Sequence, residues 1–248
     1  MYIDKPSSLR EQIVTQAIWN SFCGQESVLS LHQLLLRRLT PTEAMSRECI
    51  SSAITSGQIK VASGVDGPGL FLSMKHGKVY FIAVQNSQHR NDFEFRKTET
   101  LSSNEEKDLL EFVFNLLSAN VIEYAKYFAL RGNIQLSNLD YRTPSLRVFF
   151  ENLSLSQTFS LFWRSVKSFS DQNSMVNFSE VAMRANDFFE HYCRSGKEIK
   201  AYPRPTMLVM SQVEKVLFSD WLGLAQPDFQ PNIYEYFNSS KLRALRAS

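Results

Sequence analysis

The apolar positions in the first third of the chain fall at helical spacing three times, then switch to short strand-like runs. Leu9, Ile13, Val14, Ala17, Ile18 and Phe22 share one face of a predicted first helix. Ser8 and Glu11 at its start have the spacing of a capping box, and Gly24 closes the segment. A second helix is predicted from about Val28 to Arg38, with Leu31, Leu34 and Leu35 as its apolar face. The third has the clearest start. Thr40-Pro41-Thr42-Glu43 offers a cap residue, a proline at the first helical position and a glutamate three after the cap. Pro41 also pushes Thr40 out of helical geometry, so the chain breaks after Leu39 and two helices meet at a steep corner. Met45, Cys49, Ile50, Ala53 and Ile54 face inward on this reading, and Gly57 supplies a left-handed cap.

Strand character follows in Ile59-Lys60-Val61-Ala62. The glycine-rich Gly64 to Gly69 forms a loop, and Leu70 to Met74 returns, which predicts a hairpin. His76-Gly77 makes another turn, Lys78 to Val84 reads as one further strand, and Phe93 to Arg96 as an edge strand. From Ser102 the pattern turns helical. A helix apolar on most sides runs to about Leu130, where Gly132-Asn133 ends it. Thr143-Pro144 starts another, and a third covers roughly Ser156 to Phe169. A polar linker spans 171–177. The next helix puts Ala182, Ala185, Phe188, Phe189 and Tyr192 on one face and stops at Gly196. Pro203 and Pro205 set off a last long helix to Trp221. The pattern predicts an α+β chain, mostly α: a domain over 1–100 with a helix-turn-helix and hairpin, then an all-α bundle domain over 101–248 with a short tail.

The arrangement at 28–74 resembles the winged-helix superfamily. Leu31, Leu34 and Leu35, then Thr40-Pro41-Thr42-Glu43, then Ile50, Ile54, Gly57 and Ile59 carry the resemblance. It implies a recognition helix at about 41–56 and a wing at 59–74. In many relatives of this kind the module has lost DNA reading and serves as a docking piece inside a larger assembly.

Charge weakens the DNA-reading implication. The net charge of the 248 residues is only +2, so any phosphate contact must come from a local patch. The small excess lies in the first hundred residues, with 11 Lys/Arg against 9 Asp/Glu. The 19 phenylalanines, mostly in the second half, point to an aromatic helical core or a buried interface. Phe149, Phe150, Phe159, Phe162, Trp163 and Phe169 read as core rather than as a ligand cage. Three scattered cysteines, Cys23, Cys49 and Cys193, read as free buried thiols of a reducing cytoplasm. Met1 to Pro6 lacks the apolar run of a signal peptide. The most apolar stretch, 109–130, carries Glu111, Glu123 and Lys126, which argues against a membrane span.

No catalytic motif stands out, and no cofactor or metal is expected. A restriction-type nuclease carries an acid on one strand and Glu-x-Lys on the next, to hold Mg²⁺ and polarise water. Here Ile82-Ala83-Val84-Gln85 has alanine and glutamine at the acid and lysine positions, which leaves Asp66, Asp92, Glu94 and Lys97 as isolated charges. His191 and Cys193 lie two apart on a helix and point about 200° from each other, so they cannot share one metal.

The nucleic-acid candidates are Thr42, Ser46, Arg47 and Ser51 on the third helix, with Ser52 and Thr55 beside them. Arg37 and Arg38 end the second helix, and Lys60, Lys75 and Lys78 lie near the hairpin. Hydroxyls and cations reach phosphates and base edges. Glu43 and Glu48 on the same helix oppose a phosphate backbone. The leading expectation is a cytoplasmic, non-enzymatic adaptor subunit of a nucleic-acid-handling assembly of defence, mobile-element or chromosome-maintenance type. Its partner would be a larger protein such as an ATPase or nuclease subunit, with double-stranded DNA as an auxiliary contact and no membrane. The alternative is a stand-alone DNA-binding transcriptional regulator, and the third is a degenerate nuclease.

Overall fold

A computed structural model describes residues 8–22, 28–56, 60–61, 73–75, 78–80, 83–85, 103–169 and 175–230. The described residues are mostly helical with a minor share of strand. The chain forms two compact units. The first takes residues up to Leu109 together with Met210–Leu224, and the second takes Leu110–Val209 and continues from Ala225. The C-terminal stretch 210–224 thus belongs to the first unit.

In the first unit α1 (Leu9–Asn20) starts as the pattern predicts. The Ser8 N–H donates to Glu11 Oε2 at 2.8 Å, and the Glu11 N–H donates to Ser8 Oγ at 3.2 Å. Leu9, Ile13, Val14, Ala17, Ile18 and Phe22 are all buried. The predicted second helix is divided. Val28–Ser30 is strand β1, and only Leu31–Leu36 is helix α2. Pairing decides this, because Val28, Leu29 and Ser30 lie opposite Gln85, Val84 and Ala83 of β5 (Ala83–Gln85). Such non-local bonds override the helical spacing of Val28.

The corner after α2 is a Schellman motif. The Leu39 N–H donates to Leu34 O at 3.2 Å and the Arg38 N–H to Leu35 O at 3.0 Å. Arg38 takes the left-handed position with φ 55°, and the apolar pair Leu34 and Leu39 closes the motif at 0% exposure. Helix α3 (Glu43–Thr55) begins two residues later than predicted. Its cap is Thr42, whose Oγ1 accepts from the Met45 N–H at 3.3 Å. Pro41 therefore precedes the cap. Met45, Cys49, Ile50 and Ala53 face inward as predicted, while Ile54 is half-buried.

Strand β2 (Lys60–Val61) pairs with β5 in an antiparallel sheet of order β1-β5-β2, and residues 62–72 of the expected hairpin lie outside the described residues. The hairpin that forms joins β3 (Ser73–Lys75) to β4 (Lys78–Tyr80), with Lys75 opposite Lys78. The single strand expected over Lys78–Val84 is thus two strands in separate sheets. Gly24, Gly57, Gly64 to Gly69 and Phe93 to Arg96 lie outside the described residues.

Helix α1 packs against α3, against the short α8 (Gln212–Glu214) and against the π-helix Lys215–Trp221 that continues α8. Val213, Val216 and Leu217 are fully buried there. The long last helix expected after Pro203 is only this short piece. The Ser211 box starts it, with the Ser211 N–H on Glu214 Oε2 at 2.8 Å, and residues 197–205 carry no helix.

Helix α4 (Ser103–Arg131) begins in the first unit and carries the chain into the second. It ends in a Schellman pattern, with the Ile134 N–H on Ala129 O at 2.8 Å and Asn133 at φ 54°. The second unit contains α5 (Arg147–Asn152), α6 (Leu155–Lys167) and α7 (Phe178–Ser195), which Gly196 closes in the left-handed region. Phe149, Phe150, Phe159 and Phe162 are buried. Tyr124 stacks on Phe159 with centroids 4.2 Å apart and planes at 2°, and burial pushes its hydroxyl pKa up. This unit is not all-α. β6 (Gln135–Ser137) and β7 (Met175–Asn177) form a two-stranded parallel sheet, with Leu136 opposite Val176. The supposed polar linker supplies β7, because Val176, 3% exposed, enters the core. Cys49 is a buried free thiol and Cys193 an exposed one, so the expectation of buried thiols fails for Cys193, while Cys23 lies outside the described residues.

Candidate nucleic-acid interface

The surface that sequence singles out is α3 with the corner before it. Helix α3 keeps its expected inward face, but two candidate residues change role. Thr42, 8% exposed, is the cap itself, and Ser46, 1% exposed, faces inward. Ser46 Oγ accepts from the Thr40 N–H at 3.1 Å and lies 2.8 Å from Thr40 Oγ1, which donates to Thr42 O at 2.8 Å. These hydroxyls satisfy buried backbone groups at the corner, as burial demands. They are structural rather than contact residues.

Glu43, Ala44, Ser51, Ser52 and Thr55 are exposed, and Arg47 and Glu48 are half-buried. The Thr55 hydroxyl donates back to Ser51 O at 2.9 Å. Arg47 Nε donates to Glu43 Oε1 at 2.9 Å, one turn away. Arg10, which sequence did not single out, lies 3.9 Å from Glu48 and 3.5 Å from Asp108. Its position on α1 carries no motif, so only packing brings it to this face. The exposed side of α3 thus carries two carboxylates against one arginine.

The corner arginines are also held. Arg37 Nη1 donates to Ser21 O, and Arg38 occupies the left-handed cap position with its own carbonyl accepting from the Gln212 N–H at 3.0 Å. Lys60 lies on β2 opposite Gln85, while Lys75 and Lys78 face each other across the β3–β4 pair. These lysines therefore belong to two different sheets rather than to one strand pair. Of the nine candidates, Thr42 and Ser46 are buried and so do not belong to the exposed face of α3.

Cys49, on the inner side of α3, has its thiol pKa pushed up to about 12 by burial, partly offset by Arg10 and reinforced by Glu48. A thiol so held is neutral and unreactive. Among the described residues, no three His, Cys, Asp or Glu side chains come together to hold a metal ion, and no helix is long and apolar enough to cross a membrane. No family model, curated protein or solved structure matches the chain.

Proposed function

We propose that the chain is a non-enzymatic adaptor subunit of a cytoplasmic, multi-protein assembly that handles nucleic acid, and that its first unit is a winged helix used mainly for docking. The element order supports the fold. Helix α1, strand β1, helices α2 and α3 and strands β2 and β5 follow in sequence, with β5 between β1 and β2. This order supports a winged helix, although the β3–β4 pair at 73–80 lies mostly beyond the wing expected at 59–74.

The observation that carries the adaptor reading is the self-paired face of α3. Glu43 holds Arg47, and Arg10 lies between Glu48 and Asp108. Exposed ion pairs of this kind contribute little stability and are easily broken. Even so, their carboxylates remain beside any phosphate that the arginines reach. With Thr42 and Ser46 turned inward, the helix offers Ser51, Ser52 and Thr55 to a duplex and no unopposed cation on α3 itself.

A salt-titrated duplex-binding assay beside size-exclusion chromatography with light scattering tests this. The isolated protein is expected to bind duplex weakly and without sequence preference. A tight, sequence-specific shift by a defined dimer, weakened by Arg47→Ala, makes it a stand-alone regulator instead and ends the adaptor reading.

A further inference from the structure

The second unit carries an open groove of about 160 Å³, lined by Phe128, Arg131 and Ile134 from the end of α4 and beyond it, and by Trp163, Val166 and Lys167 from α6. Its size is informative. Cofactor and drug-sized pockets run from about 300 Å³ upward, so this one suits a single aliphatic or aromatic side chain. Its walls join an apolar floor to two cationic side chains.

The positions of the cations have a local cause. Arg131 and Lys167 each stand in the last turn of a helix, where the carbonyl end favours positive charge. The α4 carbonyls at that end are already capped by Ile134 and Asn133. The dipole therefore explains why cations stand there, but not why they border an apolar notch. The Arg131 guanidinium lies 5.0 Å from the Tyr127 ring centroid, and among the described residues no carboxylate pairs with it.

We infer that this groove docks an acidic peptide segment of a protein partner, with one aliphatic or aromatic anchor in the notch and a carboxylate against Arg131. Charge complementarity selects the acidic flanks and the notch volume selects a single anchor. Single-stranded nucleic acid also uses cations beside aromatics, but it needs a free ring face on which bases stack. Lys167 Nζ covers one face of Trp163 at 5.0 Å from the ring centroid, and Tyr202 packs edge-on at 5.5 Å. Lys167 thus already occupies the indole face on which a base would stack.

The site adds a partner chemistry to the adaptor reading, yet it stands on the second unit alone. A test without DNA keeps the two separable, because failure here leaves the α3 argument untouched. One side-chain anchor with an exposed charge pair supports a dissociation constant on the order of 1 mM or weaker. The probe is a fluorescein-labelled peptide with a central phenylalanine flanked on both sides by glutamates, titrated with the full chain and read by anisotropy. Controls replace the anchor with alanine, the glutamates with lysines, and the peptide with oligothymidylate.

The glutamate peptide is expected to bind, more weakly as salt rises, and the alanine-anchor and lysine peptides to lose about tenfold or more. Arg131→Glu is expected to lose a similar factor. Arg131 is exposed, so an unchanged thermal transition will show that the variant is folded. No binding by the glutamate peptide, equal binding by the lysine peptide, an unchanged Arg131→Glu, or tighter oligothymidylate binding lost in the same variant each overturns the proposal.

Discussion

The carbonyl of Arg38 accepts a hydrogen bond from the Gln212 N–H at 3.0 Å, and the neighbouring Leu39 carbonyl accepts from the Val213 N–H at the same distance. The corner between α2 and α3 is thereby built together with a segment from the far end of the chain. Three fully buried side chains follow that contact, Val213, Val216 and Leu217, on the segment that packs against α1. Leu217→Ala is expected to destabilise the first unit by about 2–5 kcal/mol, the range for emptying a buried leucine site. Hydrogen exchange provides the check. Amides of α1 and α3 should lose protection together with those of 212–222. If only the C-terminal amides exchange faster, the segment is an appendage rather than part of the core.

In the second unit Arg204 Nε and Nη2 donate to the two carboxylate oxygens of Asp228 at 3.0 and 2.7 Å, and Nη1 donates to Asn120 Oδ1 at 2.8 Å. The two charged side chains are only 9% and 14% exposed. A planar guanidinium makes this two-pronged contact and an ammonium does not. Asp228→Ala leaves a nearly buried arginine without its carboxylate and is expected to cost about 3–5 kcal/mol in urea unfolding. Arg204→Lys should recover only part of that. Arg204→Met with Asp228→Leu should be milder than Asp228→Ala alone, because no uncompensated charge remains. A double variant at least as damaging as the sum of the singles refutes the account.

Cys49 gives the first unit a pH dependence. Burial holds its thiol pKa at about 12, against 9.0 for an unperturbed thiol. The unfolded chain therefore releases this proton first as pH rises. The contribution of the neutral thiol to stability is fully present below about pH 9 and is lost between about 9 and 12. Cys49→Ala should flatten the fall in stability over that window, apart from its own pH-independent packing cost. At neutral pH a thiol reagent should label exposed Cys193 promptly, and Cys49 only on unfolding. Rapid native labelling of Cys49 contradicts the buried, neutral thiol.

Much of this architecture was legible where local rules suffice. The Ser8/Glu11 box and the inward faces of α1 and α3 follow from spacing alone. The misplaced α3 cap shows the limit, since Thr40 and Thr42 both suit the role. The burial of Ser46 beside Thr40 decides between them, and that is a tertiary fact. The later cap takes Thr42 out of the candidate interface, and Ser46 leaves it because it shares the inward face of Cys49, Ile50 and Ala53. Strands β1 and β7 were hidden for a similar reason. Each is three residues long and defined by a distant partner, β5 or β6, rather than by alternation. The arginine Arg38 at a position that favours glycine was equally invisible, because no local signal marks a left-handed residue that keeps its side chain.

The opposing charges on α3 supply the sharpest test of the adaptor reading. Glu43 is exposed and stands in the first turn of α3, where the helix dipole favours a carboxylate, and it holds Arg47 at the next turn. Glu43→Lys removes both favourable terms and is expected to cost only about 1 kcal/mol, because the pair is solvent-screened. It also removes the α3 carboxylate that Arg47 contacts and adds a second cation one turn away. If α3 faces a duplex at all, non-specific affinity at low salt should rise several-fold. The slope of log affinity against log salt should steepen by about one to two, for the one or two phosphates newly engaged. Met183→Lys, on the exposed side of α7 in the other unit, controls for the gain of charge alone. Equal effects from the two substitutions mean that α3 is not a duplex-contacting surface, and its exposed hydroxyls are then left to a protein partner.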